Sequence, residues 1–404
     1  MTDGHAHGPA PRASRRVRIL LVAALLPVLL ATVFGAIALW PSGDPVVGTV
    51  PITGGTSHFV RAEVTGFPKG GIGDGITGVT ARLEQGGKAI LVQVPPEQLA
   101  ARMANGSRIK VMYIPEAAAY GSPYVFVDYV RTIPIAVLAI FYAVLVVAVA
   151  RWRGLAAMVG LGVALAGIVV FTLPALLAGS NALAVGLVTA SGVMFVVLYL
   201  AHGFSARTTT ALLGTVIGLA ITGAIGAWAS GAANLTGLSD EVTLQLPSYA
   251  PDIDLRGVVL CGLILAGLGV LNDVTITQSS AVWELRSANP SASRRVLFGR
   301  AMRIGRDHIA STVYTIAFAY VGASLPLLLM VALLDNSFVD TITSGGIAEE
   351  VVRTLVGSIG LVLAIPITTA VAVLVVSADH PAADHPAAAD GVRTPATEPI
   401  VSGA

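Results

Sequence analysis

The run Val258-Val-Leu-Cys-Gly-Leu-Ile-Leu-Ala-Gly-Leu-Gly-Val-Leu271 passes without a break into Asn272-Asp273-Val-Thr-Ile-Thr-Gln-Ser-Ser280. The first part is apolar enough to enter a bilayer, and the second sets a carboxylate, Asp273, in its continuation. A carboxylate at the centre of a membrane helix costs roughly 2.5–3.5 kcal/mol. The other apolar segments carry almost no ionisable group. Asp273 is therefore the first candidate for function.

The rest of the chain agrees with a membrane setting. Of 404 residues, 55% are hydrophobic and 12% charged. Soluble domains carry about 25% charged residues. Mean hydropathy is +0.80. A net charge of +1 offers no basic surface for nucleic acid. The single cysteine, Cys261, rules out an intrachain disulfide framework and reads as a buried, inert thiol. No P-loop, HExxH motif, Gly-x-Ser-x-Gly elbow or CxxC pair occurs. Accordingly no catalytic residue, metal site or cofactor is assigned, and the chain is not read as an enzyme.

About eight spans are expected, near 19–40, 132–150, 155–178, 182–201, 209–231, 256–278, 308–334 and 354–376. The first follows Arg12, Arg15, Arg16 and Arg18. It is longer than a signal-peptide core and reads as an uncleaved anchor. With these spans, the N-terminal arginines, Arg151 and Arg153, Arg207, and the group from Arg286 to Arg306 all fall on one face. The positive-inside rule makes that face cytoplasmic, with both termini inside. Asp240, Glu241, Asp252, Asp254, Asp335, Asp340, Glu349 and Glu350 fall on the other.

The predicted fold is thus a polytopic α-helical membrane protein with a small extracytoplasmic domain between the first and second helices. Residues 1–18 form a basic cytoplasmic N-terminus, 19–40 the anchor, 41–131 the outer domain, 132–376 a seven-helix membrane domain and 377–404 a disordered cytoplasmic tail. In the outer domain, Val46–Ile52, His58–Thr65, Gly78–Leu83, Lys88–Val94, Arg108–Ile114 and Tyr124–Val130 are short Val-rich runs between Gly, Pro and Asn. Gln85-Gly86-Gly87 suits a hairpin turn. Six such strands suggest a barrel of OB-like type. The tail repeats Ala-Asp-His-Pro-Ala at 378–382 and 383–387, and with His5 and His7 it reads as solvated rather than metal-binding.

Residues three and four apart share a helix face. Around Asp273 that face holds Gly269, Asp273, Thr277, Ser280 and Glu284, flanked by Asn272 and Gln278. The next span presents His308, Ser311, Thr312, Thr315, Ala319 and Gly322 at the same spacing. Such stripes are expected to face the bundle interior or water. Two facing stripes would make a hydrated path suited to a proton or hard cation. Three readings stay open here: ion or substrate handling, a structural hydrogen-bond network, and a carboxylate at the membrane mouth. Pro174, Pro326 and Pro366 are candidate helix breaks. Gly345-Gly346 suggests a helix start, steadied by a Glu349–Arg353 pair.

The chain resembles the YibE/F-like family of bacterial multi-pass membrane proteins over most of its length. The stretches that carry this are Asp128-Tyr-Val-Arg-Thr132, Arg151-Trp-Arg-Gly154, Gly269-Val-Leu-Asn-Asp-Val-Thr-Ile-Thr-Gln-Ser-Ser280 and Gly305-Arg-Asp-His-Ile-Ala-Ser-Thr-Val-Tyr-Thr315. Ala319-Tyr-Val-Gly-Ala-Ser-Leu-Pro326, Ala348-Glu-Glu-Val-Val-Arg-Thr-Leu-Val-Gly-Ser-Ile-Gly360 and Pro366-Ile-Thr-Thr369 complete the set. Tyr314 departs from the pattern, which would have asparagine there. The resemblance implies a multi-pass protein of the bacterial cell membrane. The expected function is a transporter or permease using Asp273, Asn272, Thr277, Ser280, Ser311, Thr315 and His308 as its ion or substrate pathway. The partners would be the lipid bilayer and a proton, cation or small solute. The alternative is a non-transporting scaffold whose outer domain binds an envelope protein partner.

Overall fold

The computed structural model describes residues 14–41, 47–51, 54–68, 77–100, 103–238, 241–333, 335 and 337–379. The N-terminus through residue 13, with His5, His7 and Arg12, lies outside them, as does the tail from 380. The chain divides into two compact units. One comprises 34–202 and 236–258, the other 1–33, 203–235 and 259–404.

The first helix, α1, covers Arg15–Ala38 and overlaps most of residues 19–40. After α1 the chain forms a closed barrel of five strands: β1 (His58–Gly66), β2 (Gly78–Leu83), β3 (Ala89–Gln93), β4 (Arg108–Tyr113) and β5 (Tyr124–Tyr129). Along β1, β2 and β4, alternate side chains turn inward, as the period of two requires. Ala62, Val64, Val79, Ala81, Val92, Ile109 and Val111 form the barrel core. The strands run β1-β2-β3-β5-β4 and close by pairing β4 with β1. Only the β3–β5 contact is parallel, through Gln93 and Val125. A short helix, α2 (Pro96–Ala100), lies between β3 and β4. The strand pattern predicts a six-stranded barrel of OB-like type; the structure has a closed barrel of five strands.

One expected strand is absent. Of Val46–Ile52, the described residues 47–51 hold a turn instead, with Gly48 at φ 79°. Residues 46 and 52 lie outside the described set. At the β2–β3 hairpin, Gly86 and Gly87 take φ of 82° and 62°, closed by the Leu83 N–H donating to the Lys88 carbonyl at 2.9 Å. Such angles favour glycine. Ser122 braces β3 against β5, its hydroxyl donating to the Leu91 carbonyl at 2.5 Å and accepting from the Tyr124 N–H at 3.1 Å.

Two residues after β5, helix α3 begins (Thr132–Gly167). Arg151 interrupts it with φ 55° and ψ −133°, between the two spans expected there. A π-helical turn (Ile168–Thr172) and a short helix α4 (Leu173–Leu177) follow. The π turn precedes Pro174, whose missing N–H removes one rung of the helix ladder. Helix α5 (Ala182–His202) packs on α3, and the Thr172 and Thr189 hydroxyls meet at 2.8 Å.

The other unit contains α6 (Ala206–Ala232), most of α8 (Leu255–Ala288), α9 (Arg294–Ala323), α10 (Leu325–Ala332), α11 (Phe338–Ile342) and α12 (Gly345–Asp379). Helix α7 (Glu241–Tyr249) belongs with α3–α5. Chain α9–α10 bends by 68° at Ser324, one residue before Leu325-Pro326. Pro366 is different. It sits inside continuous α12 and breaks nothing. Near the start of α12, Arg353 pairs with Glu350 at 2.6 Å.

Six helices among the described residues are long and apolar enough to cross a membrane, or seven with the bent pair counted as one span. The eight-span count rests on treating the two sides of Arg151 as separate spans. Apolar side chains clothe α3 on every side: Ile133, Ile135, Val137, Leu138, Ile140 and Phe141 are all more than half exposed. Such a surface fits lipid, not water.

Candidate functional site

Helix α8 buries one face and exposes the other. Leu271, Val274, Thr275, Gln278, Ser279 and Val282 follow the helical repeat and are buried. Gly269, Asp273, Thr277 and Glu284 lie on the exposed side, with Ser280 half-buried at its edge. The Asp273 side chain is 70% exposed. The stripe expected to face the bundle interior or water is thus the outer face of this unit. Interior packing goes to the threonine and glutamine face instead.

Helix α9 places His308 beside Asp273. The imidazole Nε2 lies 3.8 Å from Asp273 Oδ2, an ion pair whenever the ring is protonated. His308 is half-buried, and Nε2 has no hydrogen-bond partner among the described residues. Ser311 and Thr315 continue outward along the same helix and are exposed. Their hydroxyls donate back to the Asp307 and Ser311 carbonyls at 3.4 and 3.1 Å. Asn272 is half-buried, with Oδ1 unpartnered and its carbonyl accepting from Thr275 at 3.2 Å. The structure therefore joins Asp273 directly to His308. Thr277, Ser280, Ser311 and Thr315 flank that pair on their helices without touching it through any described hydrogen bond.

The buried face carries a second polar set that sequence reasoning left aside. Thr215 and Thr275 share a hydrogen bond at 2.6 Å between α6 and α8. The Gln278 amide donates to the Ala301 carbonyl at 2.9 Å and to Thr369 Oγ1 at 2.8 Å, tying α8 to α9 and α12. Ser279 donates to the Arg207 carbonyl at 2.9 Å. Glycines let these helices meet: a Cβ on Gly214 would strike the Thr368 hydroxyl, and one on Gly360 would strike the Thr222 hydroxyl. A visible signal was the seven-residue spacing of Thr208, Thr215 and Thr222, all fully buried. Neutral hydroxyls and one amide make interhelical hydrogen bonds of about 0.6 kcal/mol each. This set reads as structural.

Cys261 is buried, as its apolar setting suggests. At the α9–α10 bend, a cleft of about 220 Å³ is lined by Tyr320, Ser324, Leu328, Ile347, Glu350 and Thr354. Its carboxylate is already paired with Arg353. No group of three or more His, Cys, Asp or Glu side chains suited to a metal occurs among the described residues.

Helices of this length and composition fit a membrane protein. The YibE/F-like protein family matches residues 138–378, more than half of the chain, and the chain belongs to that family. The match runs from within α3 to the end of α12 and does not include the barrel. No curated protein and no solved structure matches the chain.

Proposed function

We propose that the chain is a cell-membrane transporter or permease in which Asp273 and His308 form a shared proton and cation site. The 3.8 Å approach of carboxylate and imidazole across two helices carries this reading. Asp273 takes one positive partner at a time. With His308 protonated, that partner is the imidazolium. Once His308 loses its proton, Asp273 is open to a hard cation, and Thr277, Ser280, Ser311 and Thr315 line the approach with neutral oxygens. Proton release and cation entry are thereby linked, which is the elementary step of an exchanger. Five arginines between Arg294 and Arg306 precede His308 on α9. Under the positive-inside rule they put the pair near the cytoplasmic end of its helices, with both chain termini inside.

The test is flux in proteoliposomes under an imposed pH gradient, with Na⁺, K⁺ or a divalent cation on the opposite side. Cation-dependent proton movement is expected in the wild type and lost in both Asp273→Asn and His308→Gln. Equal flux in all three proteins refutes the proposal. The OB-type barrel favours a second reading, a scaffold whose outer domain holds an envelope partner. Deleting residues 45–130 separates the two: partner capture lost with flux intact assigns the barrel a role of its own.

A further inference from the structure

The barrel carries a cleft of about 630 Å³ lined by strands β1, β4 and β5, the β2–β3 turn and the first residue of α3. That volume is in the range of small-ligand sites. Its cations are Arg61, Lys110 and Arg131, and its carboxylates are Glu84 and Asp128. Arg61 on β1 stands directly opposite Lys110 on β4. Like charges facing across a strand pair are destabilising. The pairing is kept nonetheless, and Arg61 has no carboxylate partner among the described residues. Lys110 shares Asp128 with Arg131: Asp128 lies opposite it on β5 and binds Arg131 at 2.8 Å. Glu84 is drawn toward Arg108 at 3.9 Å. The cleft is left with a surplus of positive charge.

Aromatic rings hold these cations in place. The Lys110 ammonium lies 3.8 Å from the centre of the Phe59 ring, and the Arg131 guanidinium 5.7 Å from that of Tyr129. The Tyr129 hydroxyl is buried with no hydrogen-bond partner among the described residues, although buried tyrosine hydroxyls usually find one.

The position of the cleft selects its ligand. Arg131 immediately precedes α3, and Ile133 and Ile135 are already lipid-type exposed side chains. A cleft ending at Thr132 therefore lies at the level of the headgroups, where basic side chains meet anionic lipid. We propose that this cleft binds an anionic phosphate, one whose charge is not offset by a cation of its own, at the membrane surface, with Arg61 and Lys110 as its principal cations and Arg131 at its membrane edge. The phosphate comes either from an anionic lipid headgroup or from a free phosphate anion. This site is independent of the Asp273–His308 pair.

The test uses the full-length protein, delipidated in a neutral detergent. Native mass spectrometry measures its binding of phosphatidylglycerol and, separately, phosphatidylcholine, with and without millimolar inorganic phosphate. Phosphatidylglycerol is expected to bind more tightly. With each exposed cation–phosphate pair contributing up to about 1 kcal/mol, Arg61→Gln weakens it by up to roughly fivefold and Arg61→Gln with Lys110→Gln by up to roughly 30-fold. Arg82→Gln, an exposed cation outside the cleft, leaves binding unchanged. Retention of the lipid in inorganic phosphate assigns the headgroup, and displacement assigns the free anion. Arg61→Gln removes a repulsion, so a well-folded variant is expected, and its melting temperature checks this. Equal binding of the two lipids, or an equal loss in Arg82→Gln, overturns the proposal.

Discussion

Gly214→Ala is expected to destabilise the protein through one contact between α6 and α12. The added Cβ would strike the Thr368 hydroxyl, with Thr368 Cβ at 3.0 Å and Cγ2 at 3.1 Å. Thr368 is fully buried, so it has no free volume to turn into. Overpacking of this kind costs about 1–3 kcal/mol. The helix-propensity gain of alanine over glycine, about 0.5–1 kcal/mol, offsets part of that. A net loss of up to about 2.5 kcal/mol follows from the two ranges. Gly262→Ala on α8 is the control, because a Cβ there meets nothing within 4 Å. It should gain the propensity term alone. Thr368→Ala removes a hydroxyl that is buried without a partner among the described residues. On its own it should therefore cost little, and combined with Gly214→Ala it should recover much of the loss. The assay is SDS-driven unfolding in mixed micelles for all four variants. A contacting pair commonly couples by about 0.5–3 kcal/mol. If Gly214→Ala and Gly262→Ala behave alike, or the double variant is simply additive, the close approach of α6 and α12 is refuted.

Gln278→Ala leaves the Ala301 carbonyl and the Thr369 hydroxyl without their shared donor, a loss of about 1–3 kcal/mol in the same assay. A cost no larger than that of an exposed α8 substitution such as Thr277→Ala contradicts the three-helix tie. In the barrel, the Arg131 guanidinium and the Tyr129 N–H hold the Asp128 carboxyl below its ordinary value of 3.8. A depressed folded value means that its stabilising contribution is complete above pH 3.8 and is lost as pH falls below it through the depressed value. Melts of the wild type and Asp128→Asn should converge as the pH is lowered through that window. A constant gap between them down to the lowest pH would contradict the assignment.

The barrel was readable because alternation has one meaning in a half-buried strand. His58–Gly66 and Arg108–Tyr113 turn every second residue inward, and the pattern alone places Ala62, Val64, Ile109 and Val111 in the core. It failed at Val46–Ile52, where valines suggested a strand and Gly48 makes a turn. The stripe on α8 was also legible as a stripe, with Gly269, Asp273, Thr277 and Glu284 on one face. Its orientation was not. In water a polar stripe points outward and an apolar one inward. In a bilayer both outside and inside are apolar, so polarity does not fix which face packs. Here the small and hydroxylic residues bring the helices together, and the Gln278–Thr369 bond spans 91 residues of sequence. The approach of His308 to Asp273 depends equally on tertiary packing, since 35 residues separate them and two helix faces must align.

If Asp273 exchanges His308 for a cation, that cation must stabilise the fold through Asp273. Thermal melts of purified wild type and Asp273→Asn, scanned over pH and over Na⁺, K⁺ and divalent cations, test it most directly. One cation should stabilise the wild type, by about 2.7 kcal/mol at 100 times its dissociation constant. That stabilisation should weaken as protons compete and vanish in Asp273→Asn. Superimposable profiles for the two proteins at every pH and salt would rule out the exchange and make Asp273 a structural residue.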